Sequence, residues 1–415
     1  MRRTDTLIVG GGQAGLAMSR CLGDRDVDHV VLERGRIGER WRSERWDSLR
    51  LLSPNWQSRL PGFHYRGSDP HGYMTKDELA AFLGRYAMSF SAPVEAGTEV
   101  RSVSLAHRHG FHVVTSRGDW QAENVVVATG HCDVAAAAPF AARLAPAIRQ
   151  LVTTVYKRPD ELPAAGVLVV GASATGVQLA DEIQASGRPV TLAVGRHTRL
   201  PRLYRGRDIL WWLDALGVLD ERADEVPDLE AARRQPSLQL AGRPDHSTLD
   251  LAVLAARGVR LVGSVADADG RRLALAPDLG VHVHRADAKL ARLLDRIDRF
   301  VARAGLEREV GAAERSAPLR PAPAPATLDL DAAGIRTVLW ATGFRRRYDW
   351  LRVPVLDSRG EIRHRGGITD APGLYVLGLR FLRRRNSNFL DGVGADAFAL
   401  AEHLAARRAR SGLAA

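Results

Sequence analysis

The residues best suited to chemistry in this chain are two glycine-rich turns. Gly10-Gly11-Gly12-Gln13-Ala14-Gly15 follows the apolar run Leu7-Ile8-Val9 and opens into Leu16-Ala17-Met18. Gly171-Ala172-Ser173-Ala174-Thr175-Gly176 follows Val167-Leu168-Val169-Val170 and opens into Val177-Gln178-Leu179-Ala180. Each reads as strand, tight turn, helix. In such a turn the first glycine permits the bend, the second lets a pyrophosphate approach the backbone, and the third lets helix and strand pack closely. The helix N-terminus then presents free N–H groups and partial positive charge to the phosphates. One turn holds one dinucleotide. Two turns imply two dinucleotides, and two held together suggest electron transfer between them.

Each turn has a partner at the end of the next strand. Glu33 closes His29-Val30-Val31-Leu32 and is followed by Arg34. An acid there accepts hydrogen bonds from ribose hydroxyls and repels a 2′-phosphate, which suits FAD or NAD. After Val190-Thr191-Leu192-Ala193-Val194 the chain reads Gly195-Arg196-His197, with Arg199 and Arg202 close behind. A guanidinium at Arg196 pairs with a 2′-phosphate. The first turn is therefore assigned FAD and the second NADPH. Ser173 replaces the middle glycine of the second turn, so its pyrophosphate is expected slightly farther from the backbone.

Those turns must be positioned by a chain of 415 residues, long enough for two or three domains with their own cores. Its formal net charge is +11, from fifty-six arginines and only three lysines, Lys76, Lys157 and Lys289, against 48 acids. Many arginines alternate with acids, as in Asp295-Arg296-Ile297-Asp298-Arg299, which reads as a solvated helix face and not as a nucleic-acid surface. The two cysteines, Cys21 and Cys132, form no CxxC pair, so no dithiol can relay electrons from a flavin. His282 and His284 have no further ligands nearby, and no metal site is expected. No apolar segment precedes the first strand, and no run of about eighteen apolar residues occurs, so a soluble cytoplasmic protein without a membrane partner is expected.

Along the chain, 1–35 reads strand, helix, strand, and 36–75 reads as loop. Asp77–Ala87 has helical spacing, and strands are expected at Glu99–Leu105, His112–Thr115 and Asn124–Ala128. Ala128-Thr129-Gly130 ends the last of these, and the same turn recurs at Ala341-Thr342-Gly343 after Arg336–Trp340. Such turns mark places where a chain can leave one domain and re-enter another. The expected layout is nested: residues 1–155 and 331–415 form an FAD domain, with 156–330 inserted as an NADPH domain. Within the insert, Ile209–Leu213 begins a helix, Val259–Ala266 and Leu273–Ala276 form a hairpin, and Ala286–Ala304 is an amphipathic helix. Ala317–Thr327 reads as an exposed proline-alanine linker. A strand at Gly373–Gly378 precedes a final helix from Asp391 to Leu404, whose N-terminus is suited to face the flavin pyrimidine.

These residues resemble the class B flavin-dependent monooxygenases, which comprise flavin-containing monooxygenases, Baeyer–Villiger enzymes and plant indole-pyruvate monooxygenases. The likeness spans nearly the whole chain. It rests on both glycine turns, both Ala-Thr-Gly turns, Gly38-Glu39-Arg40-Trp41, and Leu49-Arg50-Leu51 with Pro54 and Leu60-Pro61. Between the domains the family reads FxGxxxHxxxY followed by a basic residue. Tyr156-Lys157 match its end, while Pro146, Ile148 and Val152 stand where Phe, Gly and His belong. The resemblance implies an α/β fold of two nested Rossmann-type dinucleotide-binding domains with glutathione-reductase-like architecture. It implies that NADPH reduces FAD, that O2 then adds at flavin C4a, and that the hydroperoxide oxygenates a small organic substrate by N- or S-hydroxylation or Baeyer–Villiger insertion. Such chemistry needs few catalytic side chains, because the cofactor supplies the reactivity.

The expected cofactor set at the first turn is Gly10, Gly12, Gln13, Ala14, Gly15, Glu33 and Arg34, with Arg40, Trp41, Val100, Ala128, Thr129, Gly130 and Asp391. At the second it is Gly171, Ser173, Ala174, Thr175, Gly176, Arg196 and His197, with Thr342 and Gly343. Asn55 and Asn388 are the candidate hydrogen-bond donors beside the flavin, and Trp41, Trp46 and Trp56 are candidate pocket walls. The alternatives to a monooxygenase are an NAD(P)H oxidase or reductase that does not oxygenate a substrate, and a non-catalytic flavoprotein.

Overall fold

The computed structural model describes residues 1–107 and 109–412. Apolar runs without alternation form strands buried on both faces, and two such runs become the centres of two sheets. The strands are β1 (Arg2–Val9), β2 (His29–Glu33), β3 (Val94–Ala96), β4 (Val100–Leu105), β5 (Phe111–Thr115) and β6 (Trp120–Val127), then β7 (Arg149–Val152), β8 (Gly166–Val170), β9 (Val190–Ala193), β10 (Arg260–Val262), β11 (Ile335–Trp340) and β12 (Leu374–Val376). The main helices are α1 (Gln13–Gly23), α2 (Lys76–Ser89), α3 (Ala174–Ala185), α4 (Ile209–Ala215), α5 (Leu279–Ala304) and α6 (Leu390–Gly412). The α2 start is held by a capping box between Thr75 and Glu78.

The first sheet has the order β3-β2-β1-β6-β5-β4, and β12 also pairs with β6. The second is wholly parallel, with the order β7-β11-β8-β9-β10. The two repeat one plan. In each, a central strand leads through a glycine turn into a helix and then a neighbouring parallel strand. On its other side it pairs with a strand that ends in Ala-Thr-Gly.

That plan corrects the expected boundaries. β7 lies before residue 155 and β11 after residue 331, yet both belong to the second sheet. The second dinucleotide unit needs β11 beside β8, as the first needs β6 beside β1. The crossings between units lie just beyond the Ala-Thr-Gly turns, where Val134–Ala135 pairs antiparallel with Phe344–Arg345. The expected hairpin also starts later. Arg260–Val262 joins the second sheet as β10, and Val265–Asp269 pairs with Arg272–Leu275.

One interior charge is notable. Asp396 of α6 is fully buried, and neither carboxylate oxygen has a hydrogen-bond partner among the described residues. Burial raises its pKa from 3.8 to about 6. The folded state therefore favours the protonated acid, and stability falls as pH rises between those two values. Asp396→Asn should leave stability near about pH 4 unchanged and add up to ~3 kcal/mol near about pH 8. Thermal unfolding of both proteins at both pH values checks this; an equal effect at the two would contradict it.

Candidate cofactor and substrate site

Backbone geometry explains the glycines. Gly10 has φ +113° and Gly171 has φ +108°, a region L side chains rarely adopt. A Cβ on Gly10 would stand 2.7 Å from the Ala128 carbonyl oxygen, and one on Gly171 would stand 2.5 Å from that of Ala341. Each Ala-Thr-Gly turn is thus the wall against which its glycine turn closes. A Cβ on Gly15 or Gly176 would overlap the carbonyl of Gly10 or Gly171 beneath it. Gly12 differs, because a Cβ there would meet nothing within 4 Å. Its constraint comes from whatever occupies that open space.

Neither α1 nor α3 has a side-chain N-cap bond, Ser173 included. Their first N–H groups, which have no intrahelical acceptors, stay available to an anion. Glu33 stands beside the first of these helix starts. Its Oε2 accepts from the Gly11 N–H at 2.7 Å and its Oε1 from the Gly35 N–H at 2.9 Å. Both oxygens keep lone pairs for a ribose. Beside the second, Arg199 is engaged by Asp250 at 2.8 Å and Asp287 at 2.6 Å, and Arg202 is fully buried against Asp208 and the Leu52 carbonyl. Arg196 is exposed and makes no ion pair among the described residues.

Both helix starts open on one cavity of about 770 Å³. Gly10, Gly12, Gln13, Ala14, Glu33, Arg34, Arg40, Trp41, Val100, Ala128, Thr129 and Gly130 line its first end. Ala174 and Thr175 line the second. The same cavity has an apolar wall that includes Leu210, Leu213, Leu219, Leu290, Leu293 and Phe389. Loop 383–389 roofs it. This loop is fixed to the first turn by Gln13, whose Nε2 donates to the Asn388 carbonyl at 3.1 Å. It is fixed to the second unit by Arg385 N–H to Glu221 O at 3.0 Å and Ala223 N–H to Arg383 O at 2.8 Å. Asn388 lines the cavity.

Other expected site residues lie elsewhere. Asn55 does not reach the cavity. Its amide donates to Asp69 O and accepts from Met74 N–H, both at 2.9 Å, stapling loop 69–74. Asp391 points its carboxylate out to Arg59, at 2.6 Å and 2.7 Å, on the far side of the α6 start. Thr342 and Gly343 back the second turn without lining the cavity, and the Thr342 hydroxyl donates to Ala136 O. His197 is buried and bonds Gly195 O at 3.0 Å. Gly15, Gly171 and Gly176 shape the turns from beneath, Ser173 is the N-cap residue of α3, and none of the four lines the cavity. Trp41 and Trp46 line the cavity, but Trp56 does not. Lys157, the basic residue of the interdomain fingerprint, donates to Ser43 O and to Arg45 O at 3.2 Å.

The sequence reading missed several cavity residues. Arg45 and Arg380 line the first end, and neither pairs with a carboxylate among the described residues. His131 stands beside them, and burial together with Arg380, Arg346 and Arg45 pushes its pKa down to about 3. It is neutral at physiological pH and is not poised as a general base. Burial raises the Cys132 thiol, so it does not present a thiolate. Lys289, on the α5 face, was missed because it lies 91 residues from its neighbour Thr198.

A cavity shared by two glycine-turn helices, with no dithiol beside it, has the form of a two-dinucleotide site. The family model described as pyridine nucleotide-disulphide oxidoreductase matches residues 7–205. A CzcO-like oxidoreductase of Geobacillus kaustophilus is 33% identical over 396 residues, covering 95% of this chain and 96% of that protein. The probable indole-3-pyruvate monooxygenase YUCCA1 of Arabidopsis thaliana is 29% identical over 201 residues, 48% of this chain and 46% of that protein. A flavin-containing monooxygenase from Stenotrophomonas maltophilia shares the fold with a TM-score of 0.68 at 20% identity, covering 98% of this chain and 99% of that one. The chain belongs to the CzcO-like oxidoreductases.

The glycines should separate by role. Gly12→Ala should keep the wild-type melting temperature of the cofactor-free protein and lose flavin retention. Gly15→Ala should lower the melting temperature itself, because its methyl meets backbone. Flavin absorbance and calorimetry on the two variants check this; the same profile for both would contradict it.

Proposed function

We propose that this protein is an NADPH-dependent FAD monooxygenase that uses O2 to oxygenate a small organic substrate inside the leucine-walled chamber. One observation carries the reading: both helix starts face a single cavity that also has an apolar wall. FAD fits the first end. Free N–H groups, the open space at Gly12 and the carboxylate of Glu33 match a diphosphate and a ribose. Arg45 and Arg380, cations without carboxylate partners, suit the diphosphate charge. Beside the second turn, outside the cavity, Arg196 is the arginine left uncommitted, which suits a 2′-phosphate. When bound, the flavin supplies hydride acceptance and oxygen activation. The chain's part is to hold the two rings together and to exclude water with Leu210, Leu213 and Leu293. The Asn388 side chain lines the same cavity, and its role is to donate a hydrogen bond at the reacting end.

Purified protein given NADPH, labelled O2 and a panel of sulfides, amines and ketones should yield a product carrying one labelled oxygen atom, with peroxide release falling in step. NADPH use with undiminished peroxide release and no oxygenated product would mark an oxidase instead. Arg196→Ala should raise the KM for NADPH by on the order of thirtyfold, the worth of about 2 kcal/mol, and leave that for NADH unchanged. Equal effects on both would overturn the 2′-phosphate assignment.

A further inference from the structure

Lys289 is one of three lysines in a chain with fifty-six arginines. It projects from α5 onto the cavity wall, beside Leu290 and Leu293. Its Nζ reaches Gln235 Oε1 at 3.3 Å and Thr198 Oγ1 at 3.4 Å. Among the described residues no carboxylate pairs with it, and the charges that face it, Arg385 and Arg292, are both positive. Desolvation and those two arginines lower its pKa. Arg385 is itself paired with Glu221. Lys289 is exposed on this wall, a cation with no carboxylate of its own, and an anion entering the cavity finds it unpaired.

The chamber around it limits what that anion is. Five leucines and Phe389 make up its apolar wall, with Thr198, Gln235 and Ser237 beside Lys289, so the body of the ligand is apolar and its polar end meets the lysine. Arg385 belongs to the loop that Gln13 ties to the first turn, which puts the cationic end of the chamber toward the flavin end of the cavity. Arg196, the residue suited to the cofactor's 2′-phosphate, is outside the cavity lining and in solvent.

We propose that Lys289 is the substrate anchor of the chamber, and that the substrate is a lipophilic molecule bearing one carboxylate, held by the Lys289 ammonium with Gln235 and Thr198 beside it. This rests on the reading that the first turn holds FAD and leaves the chamber free.

Titration calorimetry on the flavin-loaded protein tests it with octanoate, 1-octanol and NADP+ as probes. The visible spectrum of the starting material reports flavin separately, so a colourless protein sinks the flavin reading, while the octanoate titration still decides Lys289. Octanoate should bind at least about tenfold tighter than octanol. Lys289→Met should abolish that preference, Lys289→Arg should keep most of it, and neither should change NADP+ affinity. Three results would overturn the proposal. They are no preference for octanoate in the wild type, a preference that survives in Lys289→Met, and a loss of NADP+ binding in Lys289→Met with octanoate unaffected. The last would assign the cation to the cofactor's phosphate.

Discussion

Trp46 and Leu49 leave the first unit and are buried in one apolar cluster with Tyr156, Val177 and Leu249 of the second. Burial of two such side chains is worth roughly 2 to 3 kcal/mol each. Around them Lys157 donates to the carbonyls of Ser43 and Arg45, Asp47 N–H donates to Lys157 O, and the Ser48 hydroxyl donates to Glu182. Tyr156 donates to the same Glu182 at 3.1 Å. This clamp fixes how the two dinucleotide units meet. With it in place, both glycine turns face one cavity. The antiparallel ribbon at 134–135 and 344–345 joins the same two units.

The clamp gives the segment after the first helix–strand unit a purpose that its composition hid. Its Trp-rich stretch looks like a pocket wall, and Trp41 and Trp46 do line the cavity. Yet Trp46 also packs into the neighbouring unit, so it positions as well as encloses. A second contact works in the same direction: Arg202 lies 4.9 Å from the Tyr73 ring centroid, bonds Leu52 O at 2.7 Å, and shares Asp208 with the Tyr73 hydroxyl. The clasp of loop 383–386 on 219–223 completes the enclosure on a third side. Enclosure by three separate contacts is what water-sensitive chemistry requires of a protein.

How much of this was legible in the sequence follows from range. The glycine turns and their flanking strands were readable because steric limits on φ and on Cβ act within a few residues. Glu33 was readable because a strand of fixed length carries it to the edge of the turn. The membership of β7 and β11 in the second sheet was not, since β11 pairs in parallel with β7 about 190 residues away and with β8 about 170 residues away. Asn55 shows the limit for single side chains. A loop asparagine beside a tryptophan looks available, and only the return of loop 69–74 reveals that both faces of its amide are engaged. Asp391 failed for a similar reason. The α6 start is near the cavity, but Arg59 draws the carboxylate outward. Lys289 was invisible because nothing in a helix sequence tells which of its polar residues faces a cavity built by other elements.

The central claim is that a flavin and a nicotinamide lie side by side in this cavity, close enough for direct hydride passage. The most direct measurement is anaerobic mixing of the flavin-loaded protein with NADPH deuterated at one or the other face of nicotinamide C4. The account predicts loss of flavin absorbance with a primary isotope effect for one face only. Bound flavin that stays oxidised, or bleaching with no isotope effect for either face, would contradict it.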